Sequence, residues 1–392
     1  MNTLPPRQVL LRVALVVLVL DGAAWMGWEF WRLLWQPEPM GAVDLRLRHL
    51  EVLRWFAGFS VYSEHEYVPS VYPPATFAML WPLLGWLSFS AARWFWAGTS
   101  ICAILATMLG FTQGSMAESK VERALIAAMV VGTYPVGATL GNGQLTIHVM
   151  ACALWSVLWL ARHGSGLQRY FIVPLVVFSM AKPSSAIPFL VVALFLPGGV
   201  LPLLVAGVVY LGLTFFAAAF QPVDLISLTR EMGARSNRLA LFTGTPFYAN
   251  IHVWLTEFGM RQFLLTSSIV VLLLFGVWAY LHRKCDIWLL LGVAAIVTRM
   301  WTYHRWYDDE LLLIPMIALF RLMKSASSNH VPAVLFWAGL ITMLAPGGLY
   351  LLPGALPQVY TAWETFLWLA YLVFLAKTCM QERAVLRGSP IA

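Results

Sequence analysis

Long apolar runs without alternation are the feature that most limits what this chain can fold into. The first run extends from residue 9 to residue 35, and similar runs recur along the 392 residues. With 60% of the residues hydrophobic and only 11% charged, a soluble domain could not bury this much apolar surface. The runs also lack the period-2 alternation of a transmembrane barrel. We therefore predict an all-α polytopic membrane protein.

About twelve segments are apolar enough to be predicted as transmembrane helices, some of them short or broken. They are residues 9–35, 91–112, 122–140, 145–161, 169–181, 184–196, 201–219, 262–281, 286–299, 309–323, 331–350 and 358–377. Residues 75–88 are apolar but short, and Pro82 interrupts them, so we interpret them as a re-entrant or interfacial helix. Because no tandem repeat divides the chain, residues 1–392 are interpreted as one membrane domain.

The orientation follows from the basic residues of the short connections. Under the positive-inside rule these connections are cytoplasmic, because they share one side in this topology. They carry Lys120, Arg123, Arg162, Arg169, Arg283, Lys284, Arg321 and Lys324. The extracytoplasmic face then receives two long loops, residues 36–90 and 220–261, and the polar segments 141–144, 182–185 and 299–310. We expect an integral protein of a bacterial cytoplasmic (inner) membrane with a site that faces outward.

The basic charge balance points to lipid partners. A net charge of +7 would suggest nucleic acid in a soluble protein. In a chain that spends most of its length in a bilayer, anionic headgroups and phosphate-bearing lipids are the better match. We expect membrane lipids as partners and no nucleic acid.

Residues 43–74 form the densest polar segment, which ends in the rigid sequence Tyr72-Pro73-Pro74. Asp44 stands just after the first apolar run. It could act as a general base that Arg46 and Arg48 keep ionised. Aspartate is also a favoured N-cap, so Asp44 could instead begin a helix.

The sequence Gly141-Asn142-Gly143-Gln144 joins two apolar runs. Glycine supplies the positive φ of a tight turn, which is the simple explanation. Asn142 and Gln144 could also present their amides to sugar hydroxyls.

Lys182 stands between two half-length apolar runs, and Pro183 ends the first of them. An ammonium at this depth needs an anion, and a lipid phosphate is a natural candidate. Snorkelling of the side chain to the interface is the alternative.

A second polar cluster begins at Arg299. His304 could orient or protonate a reacting group, and Arg299 and Arg305 could hold a phosphate. Asp308 and Asp309 could bind a metal. We favour salt bridges from these two carboxylates to Arg299 or Arg305.

Together these motifs resemble the polyprenyl-phosphate-mannose-type membrane glycosyltransferases of the C-type (GT-C) fold. The resemblance rests, in chain order, on Val43-Asp44-Leu45, Val61-Tyr62, Tyr72-Pro73-Pro74, Gly143-Gln144, Ala181-Lys182-Pro183 and His304. It implies an inverting transfer in which Asp44 is the catalytic base, without a metal or other cofactor.

The expected function is transfer of a mannose-like sugar from a polyprenyl-phosphate donor to a lipid or glycan acceptor. The candidate site residues comprise the base, the donor-phosphate ligands and other substrate-binding residues. They are, in that order, Asp44; Lys182, Arg299 and Arg305; and Tyr72, Asn142, Gln144, His304 and Glu51. A membrane transporter or lipid flippase is the alternative, because a broken helix at 169–196 and the intramembrane carboxylate of Asp21 would suit it. A scaffold without activity is a third possibility.

We predict that catalysis is independent of divalent metal, because residues 43–74 contain no Asp-x-Asp pair and Asp308 and Asp309 have basic neighbours. Sugar transfer by the purified protein should continue at full rate after exhaustive chelation with EDTA. Activity that is lost on chelation and restored by Mg²⁺ or Mn²⁺ would make the two aspartates metal ligands.

Overall fold

The computed structural model describes residues 6–37, 40–62, 70–242, 249–325, 329–344 and 356–388. Within these ranges all regular secondary structure is helical, which confirms the all-α part of the predicted fold class. The α-helices, numbered α1 to α17 in chain order, are Pro6–Leu34, Val43–Phe56, Pro74–Leu84, Phe89–Gly114, Lys120–Val131, Tyr134–Asn142, Thr146–Arg162, Ile172–Ser179, Pro183–Phe195, Val200–Ala218, Leu225–Phe242, Ile251–Glu257, Leu264–His282, Ile287–Met300, Leu313–Ser325, Val331–Leu344 and Leu356–Gly388.

Among the described residues, five helices are long and apolar enough to cross a membrane alone. They are Gln8–Leu34, Phe89–Gly114, Val200–Ala218, Arg261–His282 and Gln358–Glu382. The helices α5 and α6 form a sixth candidate, a pair bent by 43°. The other predicted spans hold shorter helices, so the structure does not confirm a count of twelve. The predicted loop residues 63–69 and the end of the predicted span 331–350 lie outside the described residues.

The exposed sides of α10 and α13 are apolar along their length. Val208 and Leu273 are 70% and 64% exposed. Such surface is costly in water and is covered by hydrocarbon in a bilayer. These two helices therefore face lipid, as expected for an integral membrane protein.

The predicted break near Lys182 is present. Helix α8 ends at Ser179 and α9 begins at Pro183, where proline is favoured because the first turn needs no N–H donor. Two hydrogen bonds fix the break from outside. The Thr76 hydroxyl of α3 donates to the Ala181 carbonyl (2.9 Å), and the Trp301 indole donates to the Ser184 carbonyl (2.9 Å).

Helix α2 packs against a small apolar core that is separate from the main one. Trp55, near its end, stacks on Phe77 of α3 with ring centroids 4.6 Å apart, and its indole donates to the Ala217 carbonyl of α10 (2.8 Å). The predicted interfacial segment 75–88 thus contains α3, a short helix packed against α2 and α10. This packing fixes the direction in which α2 presents its first turn.

The alternative that Asp44 caps a helix is wrong. The N-cap of α2 is Ala42, in the left-handed region with φ of 51°, and Asp44 lies in the first helical turn. The Ala42 N–H donates to the Gly141 carbonyl (3.2 Å), so α2 begins directly on the predicted glycine turn. In the first turn, the Asp44 carboxylate is still favoured by the helix dipole.

Gly143 ends α6 with φ of 66°, as predicted for the turn. A Cβ atom at this position would lie 2.5 Å from the Cβ of Leu45, in the first turn of α2. Glycine is therefore required twice, by its backbone conformation and by the close approach of α2.

We predict that Gly143→Ala lowers the thermal unfolding temperature of the purified protein. The strained backbone alone should cost about 1–3 kcal/mol. The matched control is Gly276→Ala in α13, where a Cβ atom meets nothing within 4 Å. The control should unfold at or slightly above the wild-type temperature, because alanine favours helix. Equal unfolding temperatures for the two variants would contradict the close contact between the turn and α2.

Candidate functional site

A cavity of about 570 Å³ opens where the predicted polar segments meet. Its walls come from the start of α2, the segment 71–73, the glycine turn, the start of α9 and the 3-10 helix Trp306–Leu312. Six of the predicted site residues line it: Asp44, Tyr72, Asn142, Gln144, Lys182 and Arg305. Arg299, His304 and Glu51 do not. Segments far apart in sequence thus share one side of the protein, as the topology prediction requires.

Asp44 presents a half-buried carboxylate to the cavity. Burial against the walls raises the pKa of Asp44 above its ordinary value, although Arg48, Arg305 and Lys182 and a hydrogen bond with the Gln144 side chain lower it. A carboxylate with a raised pKa is a stronger proton acceptor, which suits a general base.

The amide of Gln144 is held in place rather than free in the turn. Its Nε2 donates to the Tyr307 hydroxyl (2.8 Å), and the Tyr307 carbonyl accepts from Thr139 of α6 (3.1 Å). On the other side of the turn, the Asn142 Oδ1 accepts from Arg32 of α1 (2.9 Å). The turn is therefore rigid, and Gln144 bridges Asp44 to the 3-10 helix.

Lys182 already has an anionic partner inside the protein. Its ammonium lies 2.5 Å from Asp308 Oδ1 and donates to the Thr146 hydroxyl (2.6 Å), which in turn donates to the same carboxylate oxygen (2.7 Å). The snorkelling alternative is therefore wrong, and an external phosphate is not needed to compensate the charge. Lys182 remains part of the cavity wall.

The second carboxylate oxygen of Asp308, Oδ2, also has two hydrogen-bond partners. It accepts from the backbone N–H of Arg305 (3.1 Å) and lies 3.1 Å from Nδ1 of His304. Burial would raise the pKa of Asp308, but the charges and hydrogen bonds of Lys182 and His304 outweigh it and hold the pKa well below its usual range. The carboxylate is ionised at neutral pH.

His304 is fully buried and does not reach the cavity. Its position explains this, because it precedes the 3-10 helix and turns inward to Asp308. A contact between His304 and substrate stays a prediction, and the contact of His304 with Asp308 helps to hold that carboxylate in place. Arg305, the next residue, does line the cavity, and its Nε donates to the Tyr303 hydroxyl (2.5 Å).

Arg299 is also fully buried, away from the cavity. It forms an ion pair with Asp309 and donates to the Ala249 carbonyl (3.2 Å). Its predicted role as a phosphate ligand stays a prediction, although its charge is compensated by Asp309. The favoured salt bridge from Asp309 to Arg299 is confirmed, whereas Asp308 pairs with Lys182 instead of an arginine.

Glu51 lies behind the cavity wall and not in it. Its carboxylate pairs with Arg48 (2.6 Å), one turn along α2, and burial raises its pKa to about 7. Arg48 itself lines the cavity with its guanidinium 4.1 Å from the centroid of the Tyr72 ring. Glu51 is therefore linked to the cavity through Arg48, and its contact with substrate stays a prediction.

Several of the residues that line the cavity were not predicted from the sequence as site residues. Arg48 was considered only as a neighbour of Asp44, although the spacing of four residues places both on one face of a helix. The others are Val43, Leu47, Val71, Pro73, Pro183, Ser184, Met232, Tyr303, Trp306, Tyr307 and Asp308. Met232 belongs to α11, so the predicted second loop 220–261 contributes to the wall.

The arrangement can bind an anion and accept a proton in the same space. Three cationic side chains line the cavity together with tyrosine and tryptophan rings. The Asp44 carboxylate lines it too and has no ion-pair partner among the described residues. Asp308 and Asp309 are committed to ion pairs. The described residues contain no group of three or more His, Cys, Asp or Glu residues placed to hold a metal.

The family model of glycosyltransferase family 87 matches residues 71–327 of this chain, about two thirds of its length. No curated protein and no solved structure matches. The matched range includes most of the cavity walls but begins after α2, so it contains neither Asp44 nor Arg48.

We predict that Asp308→Asn strongly lowers the thermal unfolding temperature, because it leaves the Lys182 ammonium without its counter-charge. Breaking a buried pair in this way typically costs about 3–5 kcal/mol. The double variant Asp308→Asn/Lys182→Met should recover part of the loss, since it removes both charges. Additive effects of the two substitutions would show that the pair is not coupled.

The same pair has a defined pH dependence. Because the pKa of Asp308 is lower in the folded protein than in the unfolded chain, its contribution is complete above about pH 4 and falls only as the pH drops towards the folded value.

Proposed function

Because this chain belongs to glycosyltransferase family 87, we propose that it transfers a sugar from a polyprenyl-phosphate donor to a hydroxyl group of a lipid or glycan acceptor. The proposed sugar is mannose-like and the proposed site faces outward. The observation that carries the proposal is the cavity in which Asp44 faces three cationic side chains. The coarser conclusion, that the protein is a membrane glycosyltransferase, follows from the family and from the apolar helices.

The proposed chemistry needs one base. The acceptor hydroxyl oxygen attacks the anomeric carbon, its proton passes to Asp44, and the bond between that carbon and the phosphate oxygen breaks. The electron pair of that bond leaves with the lipid phosphate, and the configuration at carbon inverts. Asp44 suits this role because its carboxylate opens to the cavity and its pKa is raised.

The leaving phosphate needs to be stabilised by positive charge and does not need to be protonated. Arg48, Lys182 and Arg305 are fixed in the wall before any substrate arrives. Donors and charges that are already in place stabilise a developing anion without reorganisation. Lipid phosphate is therefore a leaving group that this cavity can serve with its own side chains.

An apolar groove supports a lipid-linked substrate. It has a volume of about 440 Å³ and follows α7 from His148 through Ala151 and Trp155 to Trp159. Helix α7 begins at Thr146, the hydroxyl that bonds to Lys182 and Asp308 beside the cavity. A lipid tail in this groove would place its headgroup near the site.

The transporter alternative finds no support. The family match is to a glycosyltransferase, and the broken helix between α8 and α9 serves to place Lys182 in the cavity wall.

We predict that Asp44→Asn reduces the turnover number by about 10²–10⁴-fold, the usual contribution of general base catalysis. Asparagine keeps the shape of the side chain but loses the charge, and with it the favourable interaction with the helix dipole, about 0.3–1 kcal/mol, and with the nearby cationic side chains. The measurement is release of lipid phosphate from a radiolabelled polyprenyl-phosphate mannose, with thermal unfolding as the check on folding.

Asp224→Asn is the matched control, since Asp224 is an exposed aspartate just before α11. This control should keep wild-type activity. In the wild type, kcat/KM should fall as the pH drops through the raised pKa of Asp44, because the base must be deprotonated. A folded Asp44→Asn protein with near-normal turnover would exclude Asp44 as the base.

A further inference from the structure

Arg48 has hydrogen-bonding capacity that the described protein does not use. Its Nη2 donates to Glu51 (2.6 Å), but its Nε and Nη1 are buried without a hydrogen-bond partner among the described residues. The residue is only 7% exposed, and yet it lines the cavity. Leaving a buried donor unpaired costs about 1–3 kcal/mol. Two such donors beside a substrate cavity indicate a ligand.

Lys182 differs from Arg48 in this respect. Its ammonium has three N–H groups and already bonds to Thr146 and to Asp308, the latter at 2.5 Å. A phosphate that approached Lys182 would have to compete with a fixed carboxylate. The same phosphate at Arg48 would accept a hydrogen bond from a donor that has no partner among the described residues.

We propose that Arg48 is the main ligand of the donor phosphate and that Lys182 chiefly holds the wall together. This inference rests on the proposed lipid-phosphate donor. One of these two groups, Nε–H or Nη1–H, would donate to a phosphate oxygen. Charged hydrogen bonds of this kind are about twice as strong as neutral ones.

Tyr72 prepares Arg48 for this role. The ring lies 4.1 Å below the guanidinium carbon, a distance at which a cation–π contact fixes the plane of the group. Glu51 also holds the guanidinium group, through Nη2. A guanidinium that is already oriented loses less entropy when the phosphate binds.

The spacing along α2 suits the reaction. Asp44 and Arg48 are four residues apart, so their α-carbons lie about one helical turn, roughly 5.4–6 Å, from each other. A base and a phosphate ligand at this separation can act on opposite sides of one sugar carbon. In-line displacement with inversion requires the attacking hydroxyl and the leaving phosphate to lie on opposite sides of that carbon.

The protonation of Glu51, the ion-pair partner of Arg48, also favours binding of an anion at Arg48. Burial raises the pKa of Glu51 to about 7, so its carboxyl is only partly ionised at neutral pH. The charge of Arg48 is then only partly compensated within its own pair. A phosphate would complete the compensation.

The test measures binding to the purified protein of two probes that share one chain, farnesyl phosphate and farnesol. The wild type should prefer the phosphate. Arg48→Gln/Glu51→Gln should lose at least about tenfold of that preference, the value of one charged hydrogen bond. The double variant removes both charges of the pair and so avoids an unpaired buried carboxylate.

Arg46→Gln is the matched control, because Arg46 lies on the same helix and does not line the cavity. It should keep the wild-type preference. A preference that survives in Arg48→Gln/Glu51→Gln and disappears in Lys182→Ala would overturn the proposal and return the phosphate to Lys182.

A wild type that binds both probes equally would instead overturn the lipid-phosphate donor itself, and the proposal with it. Kinetics give an independent readout with Arg48→Lys, which keeps the charge and loses the planar geometry. This variant should raise the KM for the donor and leave the KM for the acceptor unchanged. A rise confined to the acceptor KM would place Arg48 on the acceptor and contradict the proposal.

Discussion

The ion pair between Lys182 and Asp308 is the interaction on which the site depends. It joins the break between α8 and α9 to the 3-10 helix Trp306–Leu312, across 126 residues of sequence, and Thr146 adds the first turn of α7. Each of these segments contributes to the cavity or lies directly behind it. A buried pair is stable only when its remaining hydrogen bonds are also satisfied, and Asp308 meets this condition with four donors. The cavity wall can therefore be both polar and rigid.

Most of the helical fold could be predicted from sequence, because apolar runs and prolines are local signals. Pro183 marked the break before α9, and Gly143 marked the turn after α6, where the structure has a positive φ. The number of crossings could not be predicted in the same way. Several apolar segments form helices of fewer than 18 residues, and whether these reach across the bilayer depends on their packing. The N-cap alternative for Asp44 failed because the helix is capped two residues earlier, at Ala42.

The cavity lining was predictable where the sequence context was unusual, since Lys182 stands between two apolar runs and Asp44 opens the densest polar segment after the first apolar run. The partners of such residues were not predictable. Asp308 is 126 residues from Lys182 and next to Asp309, so sequence could not assign one carboxylate to the cavity wall and the other to Arg299. Burial explains why three of the predicted residues do not line the cavity. His304, Arg299 and Glu51 have the chemistry of a site, but each turns towards a charge inside the protein.

The charges of the cavity also link donor binding to the strength of the base. Arg48 and Arg305 lower the pKa of Asp44, whereas burial raises it. A phosphate bound at Arg48 would neutralise part of this positive field and so weaken the stabilisation of the Asp44 carboxylate. The pKa of Asp44 would then rise further, and the carboxylate would accept a proton more readily. Asp44 would thus be a weaker base in the empty cavity than in the donor complex, where the acceptor hydroxyl must be deprotonated.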